Sequence, residues 1–427
     1  MRRLTRSLVV LLPFASTCST EPQPDLFSIQ GAVAGSVLST AQVPVGGAIV
    51  SATAQYPIPG GTVPVVDTAL TDANGHFQLL LVSGNLPDTV ATLTLHVAAT
   101  GYTSRDTAGL QLRIARTLLP TDTTHVVITI APSPPLYVAD VTSSSIVIFA
   151  PGDTGNATPT ATIFGKSTGL NGPCRLARDK AGNLYVSNFP AFTGTGGTIT
   201  VYAAGATGNA TPMSTIAGGN TGLNVPCGLA VDASGRLYVA NDNGNSITVY
   251  PVGANGNVAP IMTIVGDSTG LSRPHDIALD ATGRLYVVNY TQNIVVYAAG
   301  ATGNASPIDT IAGANTGLSP TGIALDSMGR IYVANADFRL HPVIPTSITV
   351  YAAGATGNIS PIATISGNRT VLDFPEGIAL DDSGAIYVAN SSTGITVYRA
   401  GTTGNAAPSA VINGLNTGLT HPVAVAF

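Results

Sequence analysis

The sequence predicts an all-β protein: a six-bladed β-propeller closed by its own C-terminal strand, preceded by a small β-sandwich. Three observations carry this reading. Of 427 residues only 9% are Asp, Glu, Lys or Arg, while Gly 48 and Pro 29 join abundant Thr, Val and Ala. That balance suits short strands and tight turns better than amphipathic helices. The tyrosine of a Leu/Ile-Tyr-Val motif recurs at Tyr137, Tyr185, Tyr238, Tyr286, Tyr332 and Tyr387, a period of about fifty residues that belongs to propeller blades rather than helical solenoids. Finally, each repeat offers four apolar runs, as in Pro226–Ile264, and these may be labelled A (GLAVD), B (LYVAN), C (SITVY) and D (IMTI). The segment Leu136–Phe164 supplies B, C and D without an A, and a spare A ends the chain at Val423–Phe427. A ring joins those ends and removes two exposed sheet edges.

Taken in order, the chain begins with Arg2, Arg3 and Arg6 ahead of an apolar run, Leu8–Ala15, too short to span a bilayer. Residues 1–17 read as an export signal, and no later run is long enough to cross a membrane. Ala15-Ser16-Thr17-Cys18 resembles a bacterial lipobox, which implies lipidation of Cys18 and a polar tether over 18–26. The expected location is the bacterial cell envelope, the only membrane contact being that anchor.

Residues 27–131 show strand-like runs cut by Gly, Pro and Asp at β-sandwich spacing. Val45-Gly46-Gly47-Ala48, Thr71-Asp72-Ala73-Asn74-Gly75-His76-Phe77 and Ala99-Thr100-Gly101-Tyr102 resemble the carboxypeptidase-regulatory-like (transthyretin-like) sandwich. In that family the Thr-Asp-x-x-Gly-x-Phe stretch is a hairpin in which Asp72 caps the turn, Gly75 takes a conformation other residues avoid, and Phe77 returns to the core. The resemblance implies a spacer or adhesive module without catalysis. His76 and His96 read as surface and strand residues. A proline-rich linker over 132–135 then opens the propeller, 136–427.

Within the propeller, Pro320–Asn335 and Pro375–Asn390 (P-x-G-I-A-L-D-x-x-G-x-I-Y-V-A-N) resemble the NHL-type six-bladed propellers, a superfamily of lyases, lactonases, receptor ectodomains and binding platforms. Asp179, Asp232, Asp280, Asp326 and Asp381 begin Asp-x-x-Gly turns between A and B and are not expected to hold calcium. The Gly-x-x-Gly-Asn-x-x-Pro connections lack a following helix, so they read as C-to-D loops rather than phosphate cradles. The repeated tyrosines are expected to pack between blades, with each hydroxyl reaching a polar group.

Function is sought on the end of the ring where D-to-A and B-to-C connections emerge, since loops that differ between repeats differ because of what they contact. Phe189–Thr198 and Ala336–Thr346 are B-to-C insertions, and Gly367–Phe374 is an altered D-to-A loop. Phe189, Phe338 and Arg339 are candidate ligand contacts there. The residues after the pre-A prolines, Cys174, Cys227, His275, Thr321, Glu376 and Val423, should ring the channel mouth. Cys174, Cys227, His275 and Glu376 form a candidate zinc set, although no cofactor is needed to explain them. The cysteines could equally be free buried thiols, or a disulfide if the blades pinch to within about 7 Å at the axis. Pro274-His275-Asp276-Ile277 resembles a metal-binding Pro-His motif of the amidating lyases, whose propeller is related. Arg175, Asp276, Thr321 and Glu376 are candidate ligand residues, Arg175 forming either an internal ion pair with Asp276 or Glu376, or an anion site.

The net charge of −5 without a basic stripe argues against nucleic acid. The function expected is a monomeric, surface-exposed binding module for a protein or glycan. The alternative is a metal-dependent lyase or lactonase acting at the channel mouth, for which no catalytic set can be assigned from the residues.

Overall fold

A computed structural model describes residues 28–58, 61–84, 89–114, 123–130, 133–189, 196–336 and 346–427. The signal, Cys18 and the tether lie outside them, as do Phe338 and Arg339 and most of both B-to-C insertions. Every strand element is β, and the chain divides into two compact units.

In the N-terminal unit, Ser28–Ser39 lies between His76–Gly84 and Thr123–Ile130. Gly61–Leu70, Ile49–Ile58, Thr89–Ala98 and Arg105–Ile114 make a four-stranded sheet. Buried residues alternate along these strands, as at Val50, Ala52 and Ala54 or Leu93, Leu95 and Val97, the period that turns every second side chain inward. In the hairpin, Asp72 Oδ1 accepts the N–H groups of Asn74 and His76 at 2.9 Å. Gly75 is left-handed at φ 74° and Phe77 is buried. A Cβ at Gly75 would lie 2.5 Å from the Val37 carbonyl oxygen, so both sterics and φ require glycine. His76 is exposed, and His96, half-exposed, faces Asp106 across the sheet at 2.6 Å.

In the second unit, the described residues form six four-stranded antiparallel sheets. Five follow chain order from inner strand to outer, their inner strands being Pro173–Arg178, Pro226–Val231, Pro274–Leu279, Pro320–Leu325 and Pro375–Leu380. The remaining sheet is assembled from distant segments. Pro422–Ala426 pairs with Leu136–Asp140, Val425 opposite Val138 and Ala426 opposite Tyr137, and Ser145–Phe149 and Ala161–Ile163 follow outward. Each inner strand lies against the next and the last against the first, so the sheets stand round one axis.

Apolar cores fill the spaces between sheets. Tyr137, Ile146 and Ile148 of one sheet, for example, pack with Leu184, Val186 and Tyr202 of its neighbour. The C-strand tyrosines Tyr202, Tyr250, Tyr297, Tyr351 and Tyr398 are fully buried, and their hydroxyls donate to the carbonyls of Thr168, Thr221, Thr269, Thr316 and Thr370. Burying the ring while keeping the hydroxyl bonded explains a tyrosine where phenylalanine would pack as well. Burial raises the pKa of Tyr250 to about 12.

The Asp-x-x-Gly turns are backbone turns. In the second of them Gly235 N–H donates to Asp232 O at 2.9 Å, Asp232 Oδ1 accepts from Ser234 and Arg236, and Oδ2 pairs with Arg236 Nε at 2.7 Å. The C-to-D loops also clasp the preceding sheet. Gly208, Gly256, Gly303, Gly357, Gly404 and Gly155 each bridge to the neighbour's outer strand, and the adjoining asparagine accepts an N–H of that neighbour's D-to-A loop, as Asn304 does from Ser268 at 2.8 Å. Short outer strands are thereby covered at their exposed edges.

Candidate functional site

The end of the ring bearing the D-to-A and B-to-C connections is organised by the last residue of each B strand. Asn188, Asn241, Asn289, Asn335 and Asn390 are buried, and each Oδ1 accepts an N–H from its own sheet's D-to-A connection. In the sheet that joins the chain ends this residue is Asp140, which accepts from the N–H groups of Thr420 and His421 and from the hydroxyls of Ser143 and Thr420. Burial works against its ionisation, but those hydrogen bonds hold its carboxyl below the usual range.

The backbone here is unusual. Among the described residues of the second unit, the non-glycine residues with left-handed φ are Ser144, Val225, Asn245, Arg273, Gln292, Val371 and Phe374, all on D-to-A or B-to-C connections. Val225, Arg273 and Phe374 directly precede the prolines that open inner strands. Their carbonyls receive the N–H groups of Asp242, Tyr290 and Ser391, which ties the two connections of each sheet together. Gly172 holds the same place in another sheet, its carbonyl receiving the N–H of Phe189. At the other end the Asp-x-x-Gly turns place glycine at the positive φ, at Gly182, Gly235, Gly283, Gly329 and Gly384. Left-handed β-branched and aromatic residues are strained by about 1–3 kcal/mol each, and such strain clusters at functional sites.

Arg175 occupies the axis just inside the mouth. Its side chain is 4% exposed. Nη1 donates to the carbonyls of Cys174 (2.9 Å) and Val423 (3.1 Å), and Nη2 to those of Thr321 (2.7 Å) and Glu376 (3.2 Å). Four of the residues assigned to the mouth therefore meet one guanidinium. The inner strands have one edge without a strand partner, so their carbonyls need other donors; Arg175 supplies them. Nε lies 3.5 Å from Asp276 Oδ2, an ion pair rather than a hydrogen bond, and has no acceptor of its own. Asp276 in turn accepts the N–H groups of Ile277 (2.9 Å) and Ile323 (3.1 Å). Burial raises its pKa against the opposing pull of Arg175. The anion-site reading of Arg175 is corrected by this geometry: both terminal nitrogens already face carbonyls of the protein.

Cys174 and Cys227 are joined in a disulfide with Cα atoms 5.5 Å apart. The sheets do pinch at the axis, where a Cβ on Gly228 would fall 2.7 Å from the Asp276 Cα. Of the three states open to these cysteines, the free thiol and the zinc ligand are thus not the ones present, because both sulfurs are bonded to each other. Of the zinc set, His275 and Glu376 then remain, and among the described residues no group of three or more His, Cys, Asp or Glu is placed to hold a metal. His275 Nδ1 lies 3.5 Å from Asp242 Oδ2 and lacks a hydrogen bond, while Asp242 is held by Arg273 Nε at 2.7 Å. Glu376 Oε1 accepts from Ser391 (2.7 Å) and faces His421 Nε2 (3.2 Å). Burial opposes its ionisation, yet His421, Arg175 and Ser391 keep its pKa low, and Glu376 raises that of His421.

Other candidates are placed differently. The Thr321 side chain is buried and bonded to the carbonyls of Pro375 and Ala334, so it joins two inner strands rather than facing a ligand. The Gly367–Phe374 connection retains the bonds of its counterparts, Arg369 N–H to Asn405 and Thr370 Oγ1 to Gly367 O. What differs is its presentation of Val371 and Phe374, which are 42% and 39% exposed. Sequence reasoning missed the B-strand asparagines, His421, Ser391 and Asp242. The signal for the closing carboxylate was available as LYVAD against LYVAN.

A family model described as Lactonase, 7-bladed beta-propeller matches residues 135–320, less than half of the chain. No curated protein matches. Among solved structures, similarity extends to a protein of unknown function from Bacteroides caccae, 13% identical, covering 69% of this chain and 98% of that one with a TM-score of 0.49. A protein from Lactobacillus plantarum is 16% identical over 69% of this chain and 98% of its own, with a TM-score of 0.42. The WD40 propeller domain of Doa1 is 13% identical over 65% and 79%, with a TM-score of 0.43.

Proposed function

We propose that the chain is an exported, lipid-anchored binding module: a six-bladed NHL-like propeller that takes a protein or glycan ligand on its D-to-A and B-to-C end, carried on a carboxypeptidase-regulatory-like sandwich. The four-stranded sheets round a common axis support the propeller, and the pairing of Pro422–Ala426 with Leu136–Asp140 supports its closure at six. The observation that carries the binding role is that, among the described residues of the second unit, the left-handed non-glycine residues lie at that end. Turns at the opposite end relieve the same backbone demand with glycine; here Val371 and Phe374, both exposed, keep side chains at left-handed φ and at a cost in stability, which fits selection for what those side chains touch.

The test uses Arg273→Gly/Phe374→Gly on glycan and protein arrays. Wild type is expected to bind a defined subset of probes and the variant to lose it while keeping the far-UV circular dichroism spectrum of wild type. Unchanged binding by the variant would refute the assignment of this face. The family-model match favours a second reading, a lactonase or lyase at the mouth. Hydrolysis of a lactone panel with and without added zinc or calcium, abolished by His275→Ala or Glu376→Gln, would replace the first reading with it.

A further inference from the structure

We infer that the axial cavity behind Arg175 is a binding site for a small, neutral, hydroxyl-rich molecule of monosaccharide size. The cavity has a volume of 240 Å³, with Arg175 and Asp276 in its wall and Ala177, Ala324, Leu380 and Ala426 further along the inner strands. None of Cys174, Cys227, His275, Thr321, Glu376 or Val423 borders it, so it lies on the far side of Arg175 from the mouth. Entry is from the end bearing the Asp-x-x-Gly turns, away from the proposed binding face, and the inference stands independently of that face.

The ligand class follows by elimination. The two charges in the wall neutralise each other, which leaves no counter-charge for an ionic ligand in a place where an unpaired charge is costly. Leu176, Ile323 and Ile378 of the inner strands pack into the cores between sheets and also border the cavity. The strands' unpaired main-chain edges therefore face the axis. A hydrocarbon would strip water from those peptide groups without replacing its hydrogen bonds. A compact polyol replaces them at the main-chain groups of the wall; Arg175 Nε is itself buried beside Asp276 and is not among the donors. The volume exceeds that of a cavity able to hold a single benzene, about 150 Å³.

The experiment is calorimetric titration of the full chain with myo-inositol and a set of neutral hexoses, against D-gluconate as the charged analogue and cyclohexanol as the apolar ring. At least one neutral polyol is expected to bind one per chain, with gluconate and cyclohexanol ~10-fold or more weaker. Ala426→Leu, beyond Arg175 from the mouth, should abolish binding, and Arg273→Gly/Phe374→Gly should leave it unchanged. Absence of binding by every neutral polyol, equal binding of gluconate or cyclohexanol, or loss in the Arg273→Gly/Phe374→Gly variant overturns the inference. If Ala426→Leu does not fold, the wild-type selectivity decides alone.

Discussion

Replacing Arg175 with methionine keeps an unbranched side chain out to the position of Nε and removes the guanidinium with its charge and donors. The carbonyls of Cys174, Thr321, Glu376 and Val423 then lose their partner, and Asp276 remains as a buried carboxylate without its cation. Breaking one side of a buried pair costs about 3–5 kcal/mol. Orphaned carbonyls would add about 1 kcal/mol or more each if they stayed dry, but water entering the adjacent cavity offsets part of that, so about 4 kcal/mol is the working figure. For a unit of this size each kcal/mol moves Tm by roughly 2–4 °C, giving a fall of roughly 10 °C. Thermal unfolding followed by far-UV circular dichroism reads this directly. The double variant Arg175→Met/Asp276→Asn should be less destabilised than the sum of the single variants by roughly 1–3 kcal/mol, since the second change removes the charge the first one strands. An Arg175→Met protein that melts within a degree of wild type, or strictly additive single and double variants, would refute this account of Arg175.

Further outcomes follow from other parts of the ring. The disulfide spans a sequence separation of 53 residues, for which loop-closure entropy gives about 4 kcal/mol at most; Cys174→Ser/Cys227→Ser should lower the unfolding free energy read from denaturant titration by about 2–4 kcal/mol, and reducing agent should then have no additional effect. His421 has its pKa raised above 6.5 by Glu376 in the fold, so its contribution is full below about 6.5 and lost as pH rises through the folded value. Wild type should therefore lose stability relative to His421→Asn across that rise, and parallel melting curves from pH 5 to 9 would count against the pair. Tyr297→Phe removes a hydroxyl that donates to Thr269 O and should cost about 1 kcal/mol in urea unfolding. Phe374→Gly should raise Tm, because glycine accepts φ 46° without strain.

Much of the scaffold is legible locally. A strand buried on both sides reads as LYVAN, a turn as Asp-x-x-Gly, and a hairpin as Thr-Asp-Ala-Asn-Gly-His-Phe, because each depends on backbone conformation and on side chains a few residues apart. The repeat also makes departures visible, so Arg175 and Asp276 stand out as charges where siblings carry glycine or alanine. The sequence alone thus determined the all-β character, the four-stranded unit and the residues that converge on one axis. Only the tertiary structure decided what those residues do there. Whether Cys174 meets Cys227, and whether Arg175 faces a ligand or the carbonyls of Thr321 and Glu376, depends on separations set by sheets up to 248 residues apart in the chain. Those distances follow from how closely glycines such as Gly228 let neighbouring strands approach, and a few tenths of an ångström there, invisible to any local pattern, separate an open site from a filled one.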